Sequence, residues 1–253
     1  MRQILTLVPI LFIFAGQAFA DERVDLELVL LADASRSIDE VEIRLQRKGY
    51  AAAIIHPDVL SAISGGYQRR IAVTYVEWGD ETSQEVVVPW TIIEGAESAA
   101  AFARELIAAP RLGQGPNAIG SAIAAAHALI EMNAIEGTRR VIDFSGDSAY
   151  SGGGIPVAMA RRAALDAGIV INGLAIYCED CSGRPVGYDL EGAYAEMIIG
   201  GPGSFVITAD GNLRFAEAVR RKLLLEIADR PVGERAPEAA GAPRRPNRIS
   251  PDA

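Results

Sequence analysis

The sequence predicts a three-layer, doubly wound α/β fold: a mostly parallel sheet with one antiparallel edge strand, covered by helices on both faces. Short apolar runs alternate with segments of helical periodicity from about residue 24 to residue 228, the pattern of a parallel sheet built from strand–helix units. The first run, Leu26 to Ala32, is apolar at nearly every position rather than at alternate ones, as a strand buried on both faces must be. It ends in Asp33-Ala34-Ser35-Arg36-Ser37, where a strand passes into a helix. In open α/β sheets that edge is where ligands bind.

The elements follow in order. Asp39 to Ile55 has helical spacing (Val41, Leu45, Ala52, Ile55) and stops before Pro57. Arg70 to Trp78 reads as the second strand and Glu85 to Trp90 as the third, joined by the polar Gly79–Ser83 turn. This hairpin supplies the antiparallel edge. Ser98 to Ala109 is an Ala-rich helix closed by Pro110, and the loop Gly113-Gln114-Gly115-Pro116-Asn117 leads into a helix over Ala118–Met132. Arg140 to Ser145 is the fourth strand, followed by Gly146-Asp147-Ser148 and the loose Ser151–Gly154. Helices over Ile155–Ala167 and Leu190–Ile199 bracket a fifth strand, Ile169–Tyr177. After Gly200–Gly203 come a short strand, Phe205–Thr208, and an amphipathic helix, Leu213–Ala228.

Residues 1–20 are expected to be a secretory signal. Arg2 precedes the mostly apolar Ile4–Ala15, and Ala18-Phe19-Ala20 has the small-x-small form of a cleavage site, which places the mature start at Asp21. The apolar stretch is short for a membrane span, and no later segment approaches that length. A secreted or periplasmic product is the expectation. The domain is read as 21–228. Residues 229–253, with five prolines, five arginines and no sustained apolar pattern, read as a flexible tail.

The formal charge is −9; losing Arg2 makes it −10, and since the tail carries +1 the body carries −11. An acidic body argues against nucleic acid as a partner and is compatible with holding cations. At 50% hydrophobic composition it can bury one good core. The two cysteines, Cys178 and Cys181, flank Glu179 and Asp180. Those acids oppose thiolate formation, and export favours pairing, so a small structural disulfide is expected.

Asp33, Ser35 and Ser37 place one carboxylate and two hydroxyls in one turn. Hard oxygen ligands of this kind suit magnesium, which keeps part of its water shell. Ser37 and Glu40 also form Ser-x-x-Glu, a capping box that would account for Ser37 alone, and a helix dipole would favour Asp33 as an anion. Neither explains Ser35. Two further strand–helix junctions carry matching groups: Asn117 in Asn-Ala-Ile-Gly, and Asp147 in Phe-Ser-Gly-Asp.

This set resembles the metal-ion-dependent adhesion site of the von Willebrand factor A-type (VWA) family: Asp-x-Ser-x-Ser after the first strand, Thr-x-x-Gly before a central helix, and Asp after the fourth strand. The matching positions are Asp33, Ser35 and Ser37, then Asn117 in Asn117-Ala-Ile-Gly120, then Asp147. The order of elements is similar over about residues 24–228. Asp-Phe-Ser-Gly-Asp, Ile-Gly-Gly-Pro-Gly-Ser-Phe and Arg-Arg-Lys-Leu-Leu-Leu-Glu-Ile-Ala resemble an uncharacterised group of secreted bacterial proteins with that fold. The resemblance implies a divalent cation, magnesium first with manganese or calcium as alternatives, held by Ser35, Ser37 and Asn117 with Asp33 and Asp147 acting through water. It implies a protein partner presenting Asp or Glu, and adhesion or assembly with no bond broken. Asn117 stands where the family has Thr, and an amide reaches further than a hydroxyl. Asp143 is a second candidate for the last carboxylate, but its place within Val141–Phe144 suits a satisfied polar group in the sheet.

Two other readings compete. A VWA scaffold that has lost its metal is favoured by Asn117. A secreted serine hydrolase would use Ser148 in Gly-Asp-Ser, but it needs a later histidine, and the two present, His56 and His127, both precede it on segments read as apolar helices.

Overall fold

In the computed structural model, residues 22–177, 187–210 and 212–228 are described. Cys178, Cys181, the leader and the tail beyond Ala228 lie outside them. The strands are β1 (Glu22–Asp33), β2 (Ile71–Trp78), β3 (Gln84–Ile93), β4 (Ile135–Gly146), β5 (Val170–Tyr177) and β6 (Val206–Asp210). The helices are α1 (Glu40–Ile54), α2 (Pro57–Ser64), α3 (Ala96–Ala108), α4 (Ile119–Glu131), α5 (Val157–Asp166), α6 (Leu190–Met197) and α7 (Asn212–Ile227). They form one sheet in the order β3-β2-β1-β4-β5-β6. The β2–β3 pair is antiparallel and every other pair is parallel. The three-layer fold read from the sequence is the observed one.

The alternating side chains of β1 divide the core in two. Leu26, Leu28 and Leu30 pack with Tyr50 of α1, Val59 of α2, Phe102 of α3 and Val219 of α7. Val29 and Leu31 face the other way, toward Ile119 and Ile123 of α4, Ala164 of α5 and Tyr194 of α6. Both stripes of β1 are fully buried, which is why it reads as a continuous apolar run. Edge strand β3 accommodates Pro89, whose missing N–H is tolerated only at an edge, and the pairing with β2 shifts register around Tyr75.

The differences from expectation have local causes. Pro57 does not simply end a helix. It opens α2, whose cap is His56, with Nδ1 accepting from the Asp58 N–H at 3.2 Å. His56 therefore caps a helix instead of riding within one, as proline at a first helical position allows. Strand β4 begins at Ile135, earlier than expected. Its first half (Ile135, Glu136, Thr138) pairs with β1 but is only partly covered, so its charges masked the strand pattern.

Candidate metal centre

β1 and β4 are neighbours in register, Ala32 opposite Ser145, so their C-terminal ends deliver Asp33 and Asp147 side by side. The chain turns at Asp33, whose Oδ1 accepts from the Ser35 N–H at 2.8 Å. Ser35 Oγ lies 3.2 Å from Ser37 Oγ, and Ser37 Oγ donates to Asp147 Oδ1 at 3.2 Å. Four of the five sequence-predicted residues thus form one connected set.

Ser37 is not a helix cap. The capping box is formed two residues later: Asp39 accepts from the Val41 and Glu42 N–H groups, and Glu42 accepts from the Asp39 N–H at 2.6 Å. With Asp39 serving the helix, the Ser37 hydroxyl is directed to Asp147.

Asn117 makes no hydrogen bond to the other four; its loop meets their turn at Gly115. The Arg36 N–H donates to the Gly115 carbonyl at 2.8 Å. The Asn117 carbonyl accepts from Gly152 N–H at 2.7 Å, and its side-chain Nδ2 donates to the Tyr150 carbonyl at 3.3 Å. The side chain is turned to the loop after β4, with Oδ1 as its remaining ligating atom.

A buried framework that the sequence reading missed holds these loops. Arg47 of α1 donates to Glu77 Oε1 of β2 through Nε at 2.9 Å and a terminal nitrogen at 2.6 Å. It also donates to the carbonyls of Ala109 and Pro110. Glu77 Oε2 accepts from Leu112 and Gly113 N–H at 3.0 and 3.3 Å. Arg111 then donates to the carbonyls of Ala34 and Ser35 at 2.8 and 3.2 Å, tying the Gly113–Asn117 loop to the Asp-x-Ser-x-Ser turn. Gly113 is needed here, since a Cβ would lie 2.5 Å from that of Ala34. The available signal was Glu77 itself, a charge inside the apolar β2 run.

The electrostatics are unfavourable when both carboxyls are ionised. Asp33 is fully buried, and its Oδ2 has no hydrogen-bond partner. That oxygen, Tyr194 Oη and the Trp78 ring all converge on Gly146, where a Cβ would lie 3.0 to 3.3 Å from each. Burial, then the charge of Asp147, push the Asp33 carboxyl up to about 8, against the Ser35 hydrogen bonds. Burial likewise raises Asp147, and the Ser37 hydroxyl opposes it. Two desolvated carboxylates side by side favour an added proton or metal ion.

The rival site residues are differently engaged. Asp143 lies inside the sheet, with Oδ1 2.7 Å from Lys222 Nζ, a buried group held in an ion pair. Ser148 Oγ accepts from the Tyr150 N–H at 3.0 Å. His127 is a half-buried residue of α4. Among the described residues there is no cluster of three or more His, Cys, Asp or Glu able to hold a metal. Any cation here would depend on hydroxyl and amide oxygens beside the two carboxylates.

Residues 23–231 match a family model described as Protein of unknown function (DUF1194). The chain belongs to this family. No curated protein matches it. Among solved structures it is similar to the pilus adhesin SpaC from Lactobacillus rhamnosus GG (TM-score 0.54, 14% identity, covering 82% of this chain and 31% of that one). A second is proximal thread matrix protein 1 from the mussel byssus, with a zinc-occupied MIDAS motif (0.55, 16%, 83% and 48%). A third is the vWF domain of the type V pili tip protein Mfa5 from Porphyromonas gingivalis (0.53, 9%, 86% and 98%). The DUF1194 chain thus spans about a third of SpaC and half of the mussel protein. At these identities the likeness shows the fold, which is of VWA type.

Proposed function

We propose that this protein is an exported, metal-ion-dependent protein-binding domain serving adhesion or assembly. The observation that carries the reading is the buried, unpartnered Oδ2 of Asp33 beside Asp147. Among the described residues no Lys or Arg forms an ion pair with either acid. A small divalent cation would supply the missing charge, with the Ser35 and Ser37 hydroxyls and Asn117 Oδ1 as its direct ligands and Asp33 and Asp147 acting through water. The metal would supply a Lewis-acidic position for a carboxylate of the partner. Neutral direct ligands leave much of the cation's charge uncancelled, which favours an Asp or Glu there. Pilus and byssus proteins among the structural relatives accord with adhesion or assembly, and the sequence leader with export. No helix among the described residues is long and apolar enough to cross a membrane.

A ligand that binds only the folded state raises stability by mass action, about 2.7 kcal/mol at a hundredfold excess over Kd. Millimolar magnesium is therefore expected to raise the melting temperature. Asp33→Ala should abolish that rise, and Asn117→Thr should preserve or increase it. Titration calorimetry that detects no binding of magnesium, manganese or calcium refutes the reading and leaves a metal-free scaffold.

A further inference from the structure

We infer that Arg36 is a second anion contact at this face, so that the partner presents a pair of adjacent acidic side chains, not a single one. The inference rests on the metal-site reading above and names the ligand class of that same site. Arg36 is the residue between the two serines, and its backbone is fixed. Its N–H donates to Gly115, and the preceding Ser35 carbonyl accepts from Arg111. Its side chain is exposed and forms no ion pair or hydrogen bond with any described residue. The other charged groups nearby are committed. Asp39 caps α1, and Asp80 accepts from the N–H and hydroxyl of Thr82. Glu40 lies between Arg44 at 3.7 Å and Arg111 at 3.8 Å.

These groups line an open recess of about 610 Å3 between the turn after β1 and the Gly113–Asn117 loop, and Arg36 forms part of its wall. Because Arg36 sits between two of the candidate ligands, Ser35 and Ser37, the residue next to a carboxylate bound at the cation would fall within its reach. There the unpaired guanidinium can take a second carboxylate bidentately, which a lysine could not do as well. Tyr150, 74% exposed, stands on the loop that leaves Asp147, and arginine and tyrosine are the residues enriched where interfaces concentrate their energy. The molecule is otherwise strongly acidic. Asp39, Glu40 and Asp80 line the recess too, so an acidic segment is held there by the cation and by Arg36 against their repulsion.

The test uses the full exported chain and capped tetrapeptides, Gly-Glu-Glu-Gly against Gly-Glu-Gln-Gly and Gly-Gln-Glu-Gly, titrated in millimolar magnesium. The wild type is expected to bind the diacidic peptide about fivefold more tightly than either monoacidic one, the scale of a partly exposed charge pair. Arg36→Ala should bring that ratio down to about two, the statistical advantage of two carboxylates over one, while keeping the magnesium-induced rise in melting temperature; Arg36→Lys should fall between. A rise in melting temperature with peptide affinities no further apart than that statistical factor, or with no peptide binding, overturns the inference and leaves the metal site standing. A ratio unchanged in Arg36→Ala overturns it too. Absence of the rise in the wild type removes the metal reading and this inference together.

Discussion

Glu77→Gln tests whether the candidate centre is held by the buried framework beneath it. The Glu77 side chain is 0% exposed and that of Arg47 5%. Each Glu77 oxygen has its own task, Oε1 for Arg47 and Oε2 for the Leu112 and Gly113 amides. Removing the charge leaves a desolvated guanidinium without its counter-ion and replaces one acceptor by a donor facing other donors. Breaking a buried ion pair from one side costs about 3–5 kcal/mol. For a domain of this size each kcal/mol lowers the melting temperature by about 2–4 °C, so a fall of roughly 6–20 °C is expected. Arg47→Met removes the stranded charge, and in the Glu77→Gln background it should cost far less than in the wild type. A double-mutant cycle by urea denaturation measures that coupling. A loss below about 1 kcal/mol for Glu77→Gln, or additive single effects, would refute the framework.

Three further outcomes are expected. Burial foremost, opposed by Lys222 and reinforced by Asp143, raises Glu226 from 4.5 to about 7. The folded state then holds a proton that the unfolded state has lost. The stability this contributes is full below about pH 4.5 and is lost as pH rises through 7, on the order of 3 kcal/mol at most. Melting temperature should therefore fall less between pH 5 and 8 in Glu226→Gln than in the wild type, and equal slopes would contradict this. Cys178 and Cys181 should be bridged: intact mass after alkylation without reductant should show no label, and two labels would disprove the bridge. A chain ending at Ala228 should melt within a few degrees of the full one, and a large loss would show that residues 229–253 pack on the body.

The fold was legible because β1 carries two buried stripes, which no one-sided strand does, and because strand and helix periods alternate cleanly around it. What was not legible depended on contacts between distant segments. Pro57 reads as a stop unless His56 is seen to cap the helix that follows. The first half of β4 alternates charge with small and apolar residues, and only its pairing with β1 makes it a strand. At the centre, Asp33, Ser35, Ser37 and Asp147 could be named because each sits at a strand end, and parallel neighbours bring strand ends together. Arg47 and Arg111 could not, because nothing local ties a helix residue to a loop more than sixty positions away; Glu77, a charge within an apolar strand, was the one signal of that framework. The capping assignment failed for a related reason. Ser37-Glu40 and Asp39-Glu42 both offer an oxygen acceptor with Glu three residues on, and the structure uses the second.

Strand β4 carries the buried Asp143 and leads directly into the half-buried Asp147, and the surroundings of the two carboxylates differ in a way that bears on function. Asp143 lies mid-strand and faces α7, where Lys222 Nζ sits 2.7 Å from it and 2.6 Å from Glu226. Asn172 donates to that same glutamate at 3.0 Å. There the protein supplies its own cation, from a helix packed permanently against the sheet. Asp147, just beyond the strand end, has Asp33 for a neighbour and hydroxyls for donors, and Arg111, the nearest basic framework residue, is spent on the Ala34 and Ser35 carbonyls. A fold able to place a lysine against Asp143 places no lysine or arginine of its described residues in an ion pair with Asp33 or Asp147. Burying a carboxylate pair without a counter-charge costs stability, so the arrangement is explicable if the compensating charge arrives from solution. That is the property expected of a centre whose cation must also remain open to a partner.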